Sequence, residues 1–504
     1  MEQPDQTPEL PNRQTPFSSA FRDFITQGWG DYPPPPAPLP AAAWTAPRRR
    51  RLLEQFPGDC LIVPAGPYRV RANDTDYRYR PQTAFAHLSG LGQDLEPDAV
   101  LVIGPATADP DDDQIADAAV LYFHPRAPRT DPEFYSSGRY GEMWVGARPS
   151  IDEMATLTGL TVRSIEQLTA DLASLSGHRL RVIREADPRT TNLVDVLRDG
   201  PDSDTDSVDE RRGWDRELAV AVSELRLTKD DFEIGQLEQA CAATKVGFEA
   251  VIRELPEAVR RGRGERWVEG VFGLHARHLG NAVGYDTIAA GGDHANTLHW
   301  IRNDGDLHDG DLLLLDAGVE VDTLYTADVT RTLPVNGRFS PAQREVYEAV
   351  LAAQQAGIEA ARPGAPFIAI HQAAVAVLTQ YLADWGCLPV SVEEALSDQG
   401  GQWRRWMVHG TSHHLGLDVH DCAQARREEY RQGPLRVGMT VTVEPGLYFK
   451  ATDELAPERF RGIGVRIEDD ILITEDGCRL LSADFPRGAD AVETWIAQVQ
   501  GNAQ

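Results

Sequence analysis

The feature that most constrains this chain is charge set inside short apolar, strand-like runs. Asp311-Leu-Leu-Leu-Leu-Asp316 reads as a buried strand that ends in a carboxylate. Ala317-Gly318 and Glu320 to Thr323 turn the chain, and Tyr325 to Leu333 (YTADVTRTL) returns. An antiparallel hairpin of this kind brings Asp316 beside Asp328, which sits inside the second strand. As a pair alone, the two read equally well as ordinary turn aspartates. Thr440-Val-Thr-Val-Glu444 alternates strictly, so Glu444 shares a face with Thr440 and Thr442, opposite Val441 and Val443. Pro445-Gly446 ends that strand. In Gly462-Ile-Gly-Val-Arg-Ile-Glu468, one face holds Gly464, Arg466 and Glu468. Arg466 is thus the neighbour expected to hold the Glu468 carboxylate, although an edge strand with a polar face would look the same. The run from His409 to Asp421 (HGTSHHLGLDVHD) holds four histidines, at 409, 413, 414 and 420. Beside apolar Leu415, Leu417 and Val419, they are hard to explain as solvated surface.

Asp316, Asp328, His413, Glu444 and Glu468 form a candidate set. Four carboxylates in one pocket repel strongly: each unscreened pair at about 4 Å costs roughly 4 kcal/mol at an effective dielectric near 20. Such a cluster needs cations, and two divalent ions balance four carboxylates. Oxygen-rich ligands with one imidazole and no thiolate favour Mn²⁺, Co²⁺ or Fe²⁺ over a structural zinc. Spacing alone does not establish that the five residues converge.

The charge balance excludes several partners. The 504 residues carry 49 basic against 78 acidic side chains, a formal net charge of −29. A surface this negative repels nucleic-acid backbones and anionic membranes. No apolar run is long enough for a spanning helix, and the polar, proline-bearing N-terminus lacks the core of a secretory signal. Five scattered cysteines without a CxxC point to a reducing cytoplasm.

Residues 1–45 are proline-rich and weakly periodic, and read as a flexible N-terminal arm. From 46 to 225, buried-strand runs (Cys60 to Val63, Ala99 to Ile103, Ala119 to Phe123) alternate with helical stretches such as 151–175, giving an α/β domain. The acidic segment 199–212 is the best loop candidate. A long helix follows, with Thr228 as expected N-cap, Asp230 and Asp231 in its first turn, and one apolar face of Ile234, Leu237, Cys241, Phe248, Val251, Ile252 and Leu255. It opens the second domain, 226–504, which holds ten of the thirteen histidines.

Taken in order, the four charged segments resemble metallopeptidase family M24B, the creatinase/aminopeptidase or pita-bread fold, and within it aminopeptidase P, the Xaa-Pro aminopeptidase. The segment 74–90 (DTDYRYRPQTAFAHLSG) resembles that family's N-terminal domain. The resemblance implies a creatinase-like α/β domain followed by an α+β pita-bread metallopeptidase domain. It implies a metal set of Asp316, Asp328, His413, Glu444 and Glu468, with two divalent ions, Mn²⁺ first and Co²⁺ or Fe²⁺ as alternatives. It also implies His299, in Asn296-Thr-Leu-His-Trp300, as a catalytic histidine, with His409 and His420 flanking the ligand histidine. Glu444 is implied as the proton shuttle, with Arg466 and Tyr448 in support. The Asp316–Asp328 connection is one residue longer than usual, and His414 stands where an aromatic is common.

The activity implied is removal of an N-terminal residue before proline, by a cytoplasmic homo-oligomer (dimer or tetramer) acting on peptides. A prolidase, confined to Xaa-Pro dipeptides, is the alternative. Ser412 before His413 resembles aminopeptidase P, whereas prolidases more often carry glycine there. A peptide-binding module of the same fold that has lost its ligands is the remote alternative, and five retained ligand positions oppose it.

Overall fold

The computed structural model describes residues 16–105, 119–199 and 208–501. In the N-terminal half a five-stranded sheet runs in the order Thr161–Ser164, Ala119–Phe123, Val100–Ile103, Cys60–Pro64, Leu180–Val182. The three central strands pair antiparallel and both edge strands pair parallel. The runs of the three central strands are continuously apolar because both faces are covered. Leu61, Val63, Leu101 and Ile103 pack with the helices Ala42–Leu53, Thr83–Ser89 and Val208–Arg226. Cys60, Ile62, Val100 and Val102 face the opposite way, toward Leu168, Leu172 and Val194.

Two details differ from the sequence reading here. The stretch 151–175 is not one helix: Gly159 takes a left-handed φ of 70° and stops the helix Ile151–Thr158, and the edge strand Thr161–Ser164 intervenes. Residues 16–45, read as arm, carry the helix Ser19–Ile25 and lie on the domain through aromatic contacts of Phe17 and Phe21 with Tyr135 and of Trp29 with Phe134. Residues 1–15 of that arm lie outside the described residues, as do 200–207 of the acidic segment, whose end, from Val208, is helical.

The C-terminal half opens with the helix Asp231–Arg261. Its N-cap is Asp230, not Thr228: Asp230 accepts from the Glu233 N–H, and Glu233 returns a bond to the Asp230 N–H. Thr228 is drawn into a backbone bridge with Met439 instead. The expected apolar face is buried except for Ile234, which is half-buried. The strand Leu312–Ala317 lies between Ile288–Gly291 and Val329–Pro334, all antiparallel. Thr440–Val443 pairs with Asp469–Thr474, and Gly446–Phe449 with Ile463–Arg466. The strand Thr440–Val443 does end before Pro445, as expected, and a separate strand starts at Gly446. Pro445-Gly446 shifts the chain from one partner strand to another. The helices Asp231–Arg261, Gly264–Leu279, Pro341–Ala360, Ile368–Asp384 and Ala489–Gly501 cover these sheets around one large apolar core. The expected α/β half followed by an α+β half is what is observed. Among the described residues no helix is long and apolar enough to cross a membrane.

Candidate active site

The hairpin fixes the first two carboxylates. Asp316 sits in register with Thr330, and Asp328 directly precedes the strand Val329–Pro334. Gly318 allows the close crossing, since a Cβ there would stand 1.7 Å from the Ala327 carbonyl oxygen. The Asp328 N–H donates to Asp470 Oδ2 at 3.0 Å. Glu468 falls in the gap between Ile463–Arg466 and Asp469–Thr474, its N–H on the Thr330 carbonyl at 3.1 Å. Glu444 follows Thr440–Val443 and donates its N–H to the Thr411 carbonyl at 2.9 Å. The Thr442 N–H donates to the His413 carbonyl at 3.0 Å and the His413 N–H to Thr442 Oγ1 at 3.2 Å, which seats the imidazole over the sheet.

These elements bring all five expected ligand residues to one cavity of about 590 Å³, together with His299, His409, His420, Arg466 and Tyr285. His413 Nε2 stands 3.3 Å from Asp328 Oδ2 and 3.7 Å from Glu444 Oε1. Oxygens of Asp328 and Glu468 and a nitrogen of His413 all lie within 4.8 Å of one another. Tyr448 is not part of that lining. It stands behind His409, with its hydroxyl 2.8 Å from His409 Nε2.

Arg466 does not hold Glu468. Its guanidinium pairs with Asp316 and donates to the Tyr448 hydroxyl at 3.1 Å and to Thr330 Oγ1 at 3.2 Å. Thr330 Oγ1 in turn donates to Glu468 Oε2 at 2.7 Å. The pleat breaks after Arg466, where the chain changes partner strand, so the two side chains are not simple same-face neighbours.

Electrostatics mark the cluster as short of positive charge. Burial raises the Glu468 carboxyl well above its usual range, and Asp328, Glu444 and Asp316 add to the effect. Burial also carries Glu444 up to about 7, against the opposing charges of His413 and Arg466. For His413, burial favours the neutral ring, but the hydrogen bond to Asp328 and the charge of Glu444 outweigh it and push the imidazole up to about 9. Glu468 Oε1 is buried without any hydrogen-bond partner. Four carboxylates, one imidazole and an orphaned carboxylate oxygen fit a pair of divalent cations.

Residues 235–475 match the profile of Metallopeptidase family M24, and residues 45–183 match Aminopeptidase P, N-terminal domain. The chain is 46% identical over 485 residues to Xaa-Pro aminopeptidase 1 of Streptomyces coelicolor, covering 96% of this chain and 93% of that one. The chain belongs to the aminopeptidase P group of the M24 metallopeptidases. Among solved structures it is similar to Pseudomonas aeruginosa aminopeptidase PepP, with a TM-score of 0.77 and 30% identity over 91% of this chain and 99% of that one. It is also similar to aminopeptidase P from Escherichia coli with the inhibitor Pro-Leu, at a TM-score of 0.75 and 30% identity over 90% of this chain and 98% of that one.

In this M24 chain three site residues escaped the sequence reading. Tyr285 donates its hydroxyl toward both hairpin carboxylates, 2.7 Å from Asp316 Oδ1 and 2.5 Å from Asp328 Oδ1. Thr330 was visible in principle, two residues beyond Asp328 on the same strand face. Asp470, beneath Asp328, is fully buried and also takes the Cys241 thiol at 3.3 Å. His414 does the work of the aromatic common at its position: it stacks on Phe367 with centroids 5.1 Å apart and meets the edge of Tyr430 at 4.5 Å. Burial lowers its ring to about 3, so it stays neutral.

Proposed function

We propose that this chain hydrolyses the bond between an N-terminal residue and a penultimate proline in peptides, as its named relatives do. The observation that carries the reading is the convergence of Asp316, Asp328, His413, Glu444 and Glu468 on one cavity flanked by three further histidines. Bound there, two divalent ions, Mn²⁺ by preference, would supply Lewis acidity and ready deprotonation of the attacking water.

The chain's own residues do the rest. The free α-amine of the peptide is held near Asp316, where negative charge gathers. His420, whose ring lies 4.5 Å from that of His413, donates to the oxygen of the attacked carbonyl. His299 contacts the scissile amide. His409 lines the proline side. Its Nδ1–H donates to the Gly410 carbonyl at 2.7 Å, which leaves Nε2 to accept from Tyr448. Burial lowers the His409 ring to about 4, so it stays neutral and offers the proline ring a flat, uncharged face. Glu444 passes the proton from water to the departing proline nitrogen.

The division is an N-terminal segment over 1–45, whose residues 16–45 pack on the domain that follows, an α/β domain over 46–225 and a catalytic domain over 226–504. The helix Val208–Arg226 supports it, since Leu218, Ala221 and Val222 join the N-terminal core. A cytoplasmic site fits five cysteines that are all free thiols. Assembly into a dimer or tetramer fits the exposed apolar side chains Tyr77, Met143 and Trp144 of the N-terminal half.

The test is product release. Ala-Pro-Ala should yield free alanine at least as fast as Ala-Pro, and Ala-Ala-Ala and N-acetyl-Ala-Pro-Ala should stay intact. A strong preference for Ala-Pro makes the chain a prolidase, and equal cutting of Ala-Ala-Ala removes the proline specificity.

A further inference from the structure

A second cavity, of about 330 Å³, adjoins the first. Leu298 lines both. Tyr448 lines the second and hydrogen-bonds His409, which lines the first. A peptide whose proline lies against His409 has this cavity next along its path. An extended chain needs only about 3.3–3.6 Å per residue to cross into it.

Three observations describe what the cavity takes. Asn296, at its edge, is 4% exposed, and its Nδ2 donates to Asp293 Oδ1 at 2.9 Å and to the Phe449 carbonyl at 3.2 Å. Its Oδ1 has no donor. Leu298 and Val408, the latter 59% exposed, offer apolar surface.

The third observation is charge. Arg405 in the lining is occupied, with Nε and Nη2 on Asp453 at 3.1 and 2.8 Å, and Asp453 also takes the Trp406 indole N–H at 3.0 Å. Asp293, outside the lining, accepts from Asn296 and from the Ala451 N–H. Lys450 is different. Of the chain's lysines, Lys229 lies 3.2 Å from Asp421 and Lys245 3.2 Å from Glu249. Lys450 is exposed and has no carboxylate within 4.0 Å among the described residues. In a chain of net charge −29, such an ammonium is a local exception to a field that repels anions.

We infer that this cavity is a subsite for the residues that follow proline, and that Lys450 selects peptides carrying a carboxylate there. The inference rests on the proposed peptidase activity and adds a preference to it. The carboxylate is either an acidic side chain or the peptide's own C-terminus.

C-terminally amidated Ala-Pro-Ala-Xaa peptides, with Xaa as Glu, Gln or Lys, separate these sources from the free acid Ala-Pro-Ala-Gln. The metal-loaded full chain should cleave the Glu peptide about fivefold better than the Gln peptide in kcat/KM at low salt, chiefly through KM. The Lys peptide should be the poorest. A gain for the free acid over its amide assigns the C-terminal carboxylate as well. Lys450→Glu should reverse the order to favour Lys, and 0.5 M NaCl should compress it. Ala-Pro-Ala amide, which carries no negative charge, should show the smallest difference between the two proteins. Equal kcat/KM for the three amides together with no gain for the free acid, or preferences unchanged in Lys450→Glu, overturns the subsite. Failure of the wild-type chain to cut Ala-Pro-Ala amide overturns the peptidase reading instead.

Discussion

His420 is the residue whose removal tests the chemistry most cleanly. It is exposed to the cavity and touches His413 ring to ring, yet the described structure gives it no carboxylate partner of its own. A donor to a developing oxyanion contributes about 2.7–4 kcal/mol, so His420→Ala should lower kcat by about 10²–10³. Metal content should stay near two ions per chain by elemental analysis. Loss of metal in this variant would make His420 a ligand or a support, not an oxyanion donor. Tyr285 is the counterpart on the other side of the cluster. No periodicity pointed to it, because it stands in the loop after Ala282–Val283, and its importance lies only in where its hydroxyl reaches.

At the scale of elements, the histidine loop is held from the N-terminal half. Arg80 donates to the Leu417 carbonyl at 2.6 Å, and Thr83 to Asp418 at 2.8 Å. Asp421, next to His420, binds Arg226 Nε at 3.0 Å and Lys229 Nζ at 3.2 Å. Burial alone would raise this carboxyl, but the two cations hold it well below the usual range. A carboxyl depressed in the folded state stabilises fully above its unfolded pKa of ~3.9, and that stabilisation is lost as pH falls further. Asp421→Asn leaves two buried cations without their carboxylate and should cost about 3–5 kcal/mol, read by urea unfolding at pH 7. The difference from wild type should shrink when both are unfolded below pH 3. A constant difference across that range would remove Asp421 as the acid-sensitive group.

Much of this was legible in the sequence for one physical reason. Charges inside apolar strands cannot be left alone, so Asp316, Glu444 and Glu468 stood out, and the four-histidine run stood out beside them. The N-terminal sheet was equally plain in its uninterrupted apolar runs. What stayed hidden depended on partners distant in sequence. Arg466 turns to Asp316 because the chain changes partners just beyond it: the Ile467 N–H still goes to the Pro445 carbonyl, but the Glu468 N–H goes to the Thr330 carbonyl. Thr228 lost the cap to Asp230 because the chain there is still extended, bridged to the segment at Met439 through the Lys229 N–H on the Gly438 carbonyl.

For the whole molecule, metal removal is the broad test of the proposed activity. Exhaustive chelation should abolish Ala-Pro-Ala cleavage, and Mn²⁺ should restore it better than Zn²⁺ or Mg²⁺. Asp328→Asn should lose both metal and turnover. Full activity in a preparation free of metal would end the reading. Relieving the repulsion among four buried carboxylates should also stabilise the fold, by about 2.7 kcal/mol at a free ion concentration of 100 Kd.

Thr330 and Glu468 meet across 138 residues of sequence. At roughly 5–20 residues per second, a ribosome delivers the second on the order of ten seconds after the first. Through that interval the hairpin aspartates exist without Glu468, and the Asp328 N–H without Asp470. The cluster closes only when Glu468 and the strand Asp469–Thr474 arrive. A chain interrupted before that strand should therefore show no Ala-Pro-Ala cleavage, however much metal is supplied.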